Sequence, residues 1–215
     1  AADAQWANLP DYLDGTSILP IVDVSGSMTE PSNLRPLDIA VSLGIYLSER
    51  NKSAFKDLFL TFSGSPAFQL LKGTISQRID QLSKSEWEMN TDIVKAFKKI
   101  LDLAAQYKVS KKDMPKILLI LSDMQFDQCA KYDDSAMQSI ERQYKKAGYP
   151  LPKIVFWNLS DRGGNIPVAF NKEGIALVSG FSPSIMKAIL SDNKNFNPKS
   201  IMLEAIDIDR YRLDI

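Results

Sequence analysis

The chain has 215 residues, 45% of them hydrophobic and 24% charged, with 26 Lys plus Arg set against 26 Asp plus Glu. This is ordinary globular usage, enough to bury roughly 70% of the unfolded surface in one doubly wound domain, and without net charge no global field draws the protein onto nucleic acid or an anionic membrane, so any such binding must be local. Histidine is absent and cysteine occurs once, at Cys129, which excludes Ser-His-Asp and Cys-His catalysis, an intramolecular disulfide and thiolate metal clusters, and leaves hard-metal chemistry open.

The first element is the apolar run Ile18-Leu19-Pro20-Ile21-Val22, short and ending at Asp23, as a buried parallel strand does. Residues 1–17 precede it as an N-terminal extension, and 18–215 form the domain proper. Pro36 to Arg50 carries Leu37, Ile39, Ala40, Leu43, Tyr46 and Leu47 at helical spacing, with Pro36 suited to a first turn, and predicts a covering helix. Leu58 to Phe62 reads as a second strand, Ser63-Gly64-Ser65-Pro66 as a turn, and Ala67 to Leu71 as an antiparallel return. A short helix near Ile75 to Leu82 leads to a long one, Thr91 to Tyr107, with Ile93, Ala96, Phe97, Ile100, Leu101 and Ala104 at helical spacing.

Lys116 to Leu121 contains the most hydrophobic run and again stops at an acid, Asp123, which marks a central strand. Ser135 to Ala147 predicts a polar-faced helix closed by Gly148, Lys153 to Trp157 a strand, Gly163-Gly164 a loop, and Ile175 to Val178 the last strand. Ser182 as cap and Pro183 at the first helical position open a helix to Leu190; Asn193 to Pro198 breaks it, Ser200 to Ile206 forms a final short helix, and the tail to Ile215 is compatible with coil or an edge strand. No run approaches the ~20 apolar residues of a membrane span, and no charged-then-apolar signal opens the chain, so a cytoplasmic protein with no membrane partner is expected.

This alternation predicts a Rossmann-like α/β fold: a doubly wound, mostly parallel sheet with one antiparallel edge strand and helices on both faces. Ligands in such sheets sit beyond the carboxyl ends of the strands, where Asp23 and Asp123 both fall. Asp23-Val24-Ser25-Gly26-Ser27 places three oxygen side chains at alternate positions on an extended turn, so that they can converge while Gly26 tolerates the tight backbone. With Asp123, and Thr91 as a candidate fifth donor, the set is all oxygen, which suits Mg²⁺ or Mn²⁺ over Zn²⁺, and two carboxylates balance one divalent charge.

The series Asp23-Val24-Ser25-Gly26-Ser27-Met28, then Thr91 opening a helix, then Asp123 ending a hydrophobic strand, resembles the metal-ion-dependent adhesion site of von Willebrand factor A-type domains. The resemblance implies Ser25, Ser27 and Thr91 as direct ligands, Asp23 and Asp123 acting through coordinated waters, and one metal position left for an acidic partner group. A metal held mainly by neutral hydroxyls stays electron-poor and accepts an incoming carboxylate or phosphate oxygen. A likeness over nearly the whole chain is carried by Ser48-Glu49-Arg50-Asn51, Asn90-Thr91-Asp92, Leu121-Ser122-Asp123-Met124-Gln125-Phe126-Asp127 and Val178-Ser179-Gly180-Phe181-Ser182. It is to a family of uncharacterised proteins from fungi, plants and viruses in which the A domain is the C-terminal half. That family is similar in turn to the C-terminal half of the TROVE or Ro ribonucleoproteins, whose N-terminal helical-repeat ring binds RNA.

The resemblance implies a Mg²⁺-dependent binding module that captures an acidic group of a protein partner and needs no reaction. The alternative is the accessory half of a Ro-like RNA-binding ribonucleoprotein, with RNA bound only in the context of a longer parent protein. A third reading, a Mg²⁺-dependent phosphatase, rests on similarity to haloacid-dehalogenase enzymes. These place a second Asp two residues after the nucleophile; Ser25 stands there, the general acid is missing, and no enzyme is expected. Asp127 could steer a partner or be solvated, and Trp87 and Met89 could line the site or pack a loop. Lys95, Lys98 and Lys99 with Lys108, Lys111 and Lys112 read either as a basic strip for phosphate backbones or as a solvated face, while Lys145-Lys146 suits a helix C-terminus.

Overall fold

Short runs of β-branched and aliphatic residues, each too short for a helix, become the strands of one sheet. In the computed structural model the described residues are 2–13, 15–29, 35–62, 65–83, 93–124, 134–160 and 174–180, with 189, 199, 202, 203, 206 and 207. The strands are β1 (Ile18–Asp23), β2 (Leu58–Phe62), β3 (Phe68–Leu70), β4 (Ile117–Ser122), β5 (Lys153–Asn158) and β6 (Ile175–Ser179), in the spatial order β3-β2-β1-β4-β5-β6. Among the described strands only the β2–β3 pair is antiparallel. The helices are α1 (Ala2–Ala7), α2 (Pro36–Arg50), α3 (Ile75–Ser83), α4 (Ile93–Gln106) and α5 (Asp134–Ala147). The order, the parallel centre and the antiparallel edge make this the doubly wound α/β fold that the alternation of elements predicts, and it is von Willebrand factor A-like, as the motif resemblance implies.

Every residue of β1 and β4 is buried, because helices cover both faces of the sheet and leave no polar side to alternate with. The period-2 geometry of strands sorts their side chains into two cores. Ile18, Val22, Leu119, Leu121, Val155 and Trp157 pack with Ala40, Ile45 and Leu47 of α2. Leu19, Ile21, Leu118, Ile120, Ile154 and Phe156 pack with Phe97 and Ile100 of α4 and Tyr144 of α5. The approach of α2 depends on Gly44: a Cβ there would lie 2.3 Å from Phe59 Cε2 and 3.0 Å from Val22 Cγ2.

The segment before β1 is folded onto the domain rather than trailing from it. Leu13 is buried in the α2-side core, with Trp6 and Tyr12 packed against it. Trp6 Nε1–H donates to Glu49 Oε2 at 2.7 Å, Arg50 donates to the Trp6 and Leu9 carbonyls at 3.2 and 3.3 Å, and the Arg50 guanidinium lies 4.2 Å from the Tyr46 ring centroid. The Tyr46 hydroxyl donates to the Pro10 carbonyl and accepts the Tyr12 N–H at 2.9 Å. Asn51, directly after α2, donates to the Ile18 carbonyl at 2.7 Å. This clasp therefore sits at the amino end of β1, and α2 begins at the other end of the sheet.

The remaining boundaries shift by one or two residues. The Ser182–Leu190 helix, apart from the buried helical Ile189, lies outside the described residues, as do Gly163-Gly164 and the stretch from Asn193 to Pro198. Met202, Leu203 and Ile206 are helical, within the final short helix the sequence predicts. No described helix is long and apolar enough to cross a membrane.

Candidate metal site

Strands β1 and β4 are adjacent and parallel, with Val22 opposite Leu121, so the residues that end their apolar runs, Asp23 and Asp123, emerge together at the carboxyl edge. Both are almost wholly buried, Asp23 at 0% exposure and Asp123 at 2%. Asp23 Oδ1 accepts the Ser25 backbone N–H at 2.9 Å, the local turn an Asp favours, and Oδ2 accepts the Ser122 hydroxyl at 2.6 Å. The same Ser122 oxygen accepts the Met124 N–H at 2.9 Å, so one hydroxyl ties the β1 carboxylate to the turn that follows β4. Met124 adopts φ +63, a left-handed conformation costing a side-chain-bearing residue roughly 1–2 kcal/mol. Burial of its side chain against the α4–α5 core holds it there and turns the chain sharply after Asp123.

Downstream of Asp23 the backbone differs from the extended turn expected of Asp23 to Ser27. Gly26–Thr29 winds into a 3-10 turn, begun by the Met28 N–H bonding to the Ser25 carbonyl at 3.1 Å and anchored by the fully buried Met28 side chain. Burial of Met28 wins over an extended path, since an exposed methionine here would forfeit about 1.5–3 kcal/mol of transfer energy. The serines converge all the same: Ser25 Oγ and Ser27 Oγ are 3.1 Å apart, both half-buried.

Elementary coordination geometry tests whether these residues fit a cation. Octahedral Mg²⁺ with bonds near 2.1 Å keeps adjacent oxygens about 3.0 Å apart, which the serine pair matches. Burial pushes Asp23 from 3.8 up to about 6; the hydrogen bonds from Ser122 and Ser25 pull the other way, and the charge of Asp123 raises it further. A buried carboxylate with a like charge beside it gains from any cation that replaces the lost hydration. Among the described residues no group of three or more His, Cys, Asp or Glu gathers. The residues present fit a hard divalent ion.

Thr91 lies outside the described residues, as do Trp87, Met89, Asp127 and Cys129. Lys95, Lys98 and Lys99 are exposed on α4. The residue that sequence reasoning passed over is Ser122. Its signal was a hydroxyl closing an otherwise aliphatic strand immediately before an acid, a buried polar group in need of a partner.

Comparison with known proteins agrees with this fold. The chain is 31% identical over 215 residues to an uncharacterized protein of Acanthamoeba polyphaga mimivirus, covering 95% of this chain and 36% of that one, so it spans little more than a third of that relative's length. The crystal structure of the Deinococcus radiodurans Ro (RSR) protein superimposes over 93% of this chain and 36% of that one, at 17% identity and a TM-score of 0.51, which is a likeness of fold. The VWA domain of SpRpn10 aligns over 83% of this chain and 95% of that one, at 12% identity and a TM-score of 0.48. Residues 17–210 match the domain of unknown function DUF7788, and the chain belongs to that family.

Proposed function

We propose that the domain is a Mg²⁺-dependent binding module that captures an acidic group of a protein partner at the carboxyl edge of its sheet. The observation that carries this reading is the Ser25–Ser27 hydroxyl pair, 3.1 Å apart, beside Asp23, a carboxylate without solvent exposure. In this reading Ser25, Ser27 and Thr91 hold Mg²⁺, or Mn²⁺ in its place, while Asp23 and Asp123 balance its charge. The bound ion supplies a Lewis-acidic position open to a carboxylate oxygen.

The protein's own residues prepare that position. Ser122 fixes the Asp23 carboxylate in one orientation, and the buried Met28 and Met124 pin the loops that bear the donors. The set does not call for catalysis: the position two residues after Asp23, where a general acid would stand, holds Ser25, whose hydroxyl engages Ser27. The domain therefore works by binding and release.

The test is capture by the immobilised protein from a cell extract, in Mg²⁺ or in EDTA, beside an Asp123→Ala variant. The reading expects proteins retained by the native chain in Mg²⁺, released by EDTA and missed by the variant. Equal retention in EDTA, or by Asp123→Ala, overturns it.

A further inference from the structure

The amino ends of β4 and β5 carry a concentration of charge that the candidate metal site does not use. Residues 105–116 and 145–153 hold seven lysines, Lys108, Lys111, Lys112, Lys116, Lys145, Lys146 and Lys153, against one acid, Asp113, a net +6 that leaves −6 for the rest of a neutral chain. These two loops form one surface. The Lys153 N–H donates to the Lys116 carbonyl at 2.9 Å, and the Tyr149 hydroxyl reaches from the second loop to the Val109 carbonyl at 2.9 Å.

Among the described residues Lys108, Lys111, Lys112, Lys116, Lys145 and Lys146 are exposed and enter no ion pair. Asp113 is turned to its own loop, accepting the Ser110 hydroxyl at 2.6 Å. Among the described residues that lead into β1 and β2, Asp11 accepts the Leu13 N–H at 2.9 Å, and Asp57 faces Arg78 at 3.3 Å. The α5 macrodipole accounts for Lys145 and Lys146 at its C-terminus and for none of the others. Six exposed like charges that enter no ion pair among the described residues oppose folding, so their grouping calls for an external anion.

Tyr107, beside Lys108, is 68% exposed and offers an aromatic face among the lysines. We infer that this face binds the phosphate backbone of a single-stranded nucleic acid, with lysines on the phosphates and a base stacked on Tyr107. Lysines without an arginine fork act as point charges and read no base edges, and a stacked base is tolerant of sequence. An acidic peptide would match the charge and leave the tyrosine without a role. The strands separate this face from Asp23 and Asp123 by roughly 17–20 Å, so it stands independently of the metal reading.

Fluorescence anisotropy of the whole protein with a labelled oligouridylate, in EDTA, tests the inference. Binding is expected at low salt, and its affinity should fall with a log–log salt slope of about −3 to −4 if some five phosphates are in contact at about −0.7 each. Charge reversal at Lys111, Lys112 and Lys145 together (each Lys→Glu) should weaken binding at least tenfold, and Tyr107→Ala several-fold, with far-UV circular dichroism unchanged. Ser25→Ala should bind as the native protein does. Absence of binding at low salt, or lysine and Tyr107 variants that bind as tightly as the native chain, would overturn the proposal. So would displacement by polyglutamate as effective as by unlabelled oligouridylate at equal charge, which would assign the face to an acidic protein.

Discussion

The two ends of the sheet follow opposite rules. At the amino end of β1 most polar groups of the clasp find partners: Asn51 closes on Ile18 and on the Ser53 N–H, the Tyr46 hydroxyl joins Pro10 to Tyr12, and Trp6 reaches Glu49, while Arg50 Nη1 and the Ser17 hydroxyl are buried without a hydrogen bond. At the carboxyl end two carboxylates are buried side by side, one of them displaced to about 6, and a methionine holds a left-handed backbone. The first arrangement contributes stability; the second costs it and persists because rigid neighbours hold it in place. Positive-φ residues also occur at the amino end, at Asp57 and Lys108, so what sets the carboxyl edge apart is its pair of buried carboxylates, the kind of perturbed acid that marks a functional site.

The largest expected effect lies at the costly end. Burial raises Asp23 above its unfolded value of 3.8, so the folded chain holds this proton more tightly than the unfolded one. Its contribution to stability is complete below about pH 4 and is lost as pH rises through about 6, where the ionised carboxylate must be kept in the interior. The displacement corresponds to up to about 3 kcal/mol. In EDTA, Asp23→Asn should therefore be more stable than the native protein at pH 7.5 by up to that amount, with the difference shrinking towards pH 4. Urea melts across this range check it, and a variant that is less stable than the native chain at pH 7.5 would break the comparison.

The opposite sign is expected at the clasp. Tyr46→Phe leaves the Pro10 carbonyl and the Tyr12 N–H without their shared hydroxyl and should cost about 1–3 kcal/mol. A lowered urea midpoint at unchanged slope would sharpen the contrast, while an unchanged midpoint would show that the N-terminal segment adds nothing to the fold.

The sheet was legible because its strands are made of the signals that local sequence carries. Ile18 to Val22 and Ile117 to Leu121 are unbroken apolar runs that end in acids, and the fold places both acids at one edge as doubly wound topology requires. The convergence of Ser25 and Ser27 was legible from their alternate spacing after Asp23, though not the 3-10 turn that brings them together, because that turn follows from burial of Met28, a tertiary contact. Ser122 and Met124 escaped for the same reason: their roles exist only once β1 lies beside β4. Residues 1–17 read as an extension because they carry no periodic apolar face, yet Tyr12 and Trp6 are held by partners more than thirty residues away. Lys108, Lys111 and Lys112 read as one strip with Lys95, Lys98 and Lys99, apart from Lys145 and Lys146, since only the pairing of β4 with β5 joins the two loops.

The most direct test of the cation site is calorimetric titration of Mg²⁺ into the metal-free protein at pH 7.5, beside a Ser25→Ala, Ser27→Ala double variant. One saturable site per chain is expected in the native protein, weakened at least tenfold in the variant because two neutral oxygen donors are gone. Absence of binding by the native protein, or the same affinity in both, would contradict a metal site at this edge.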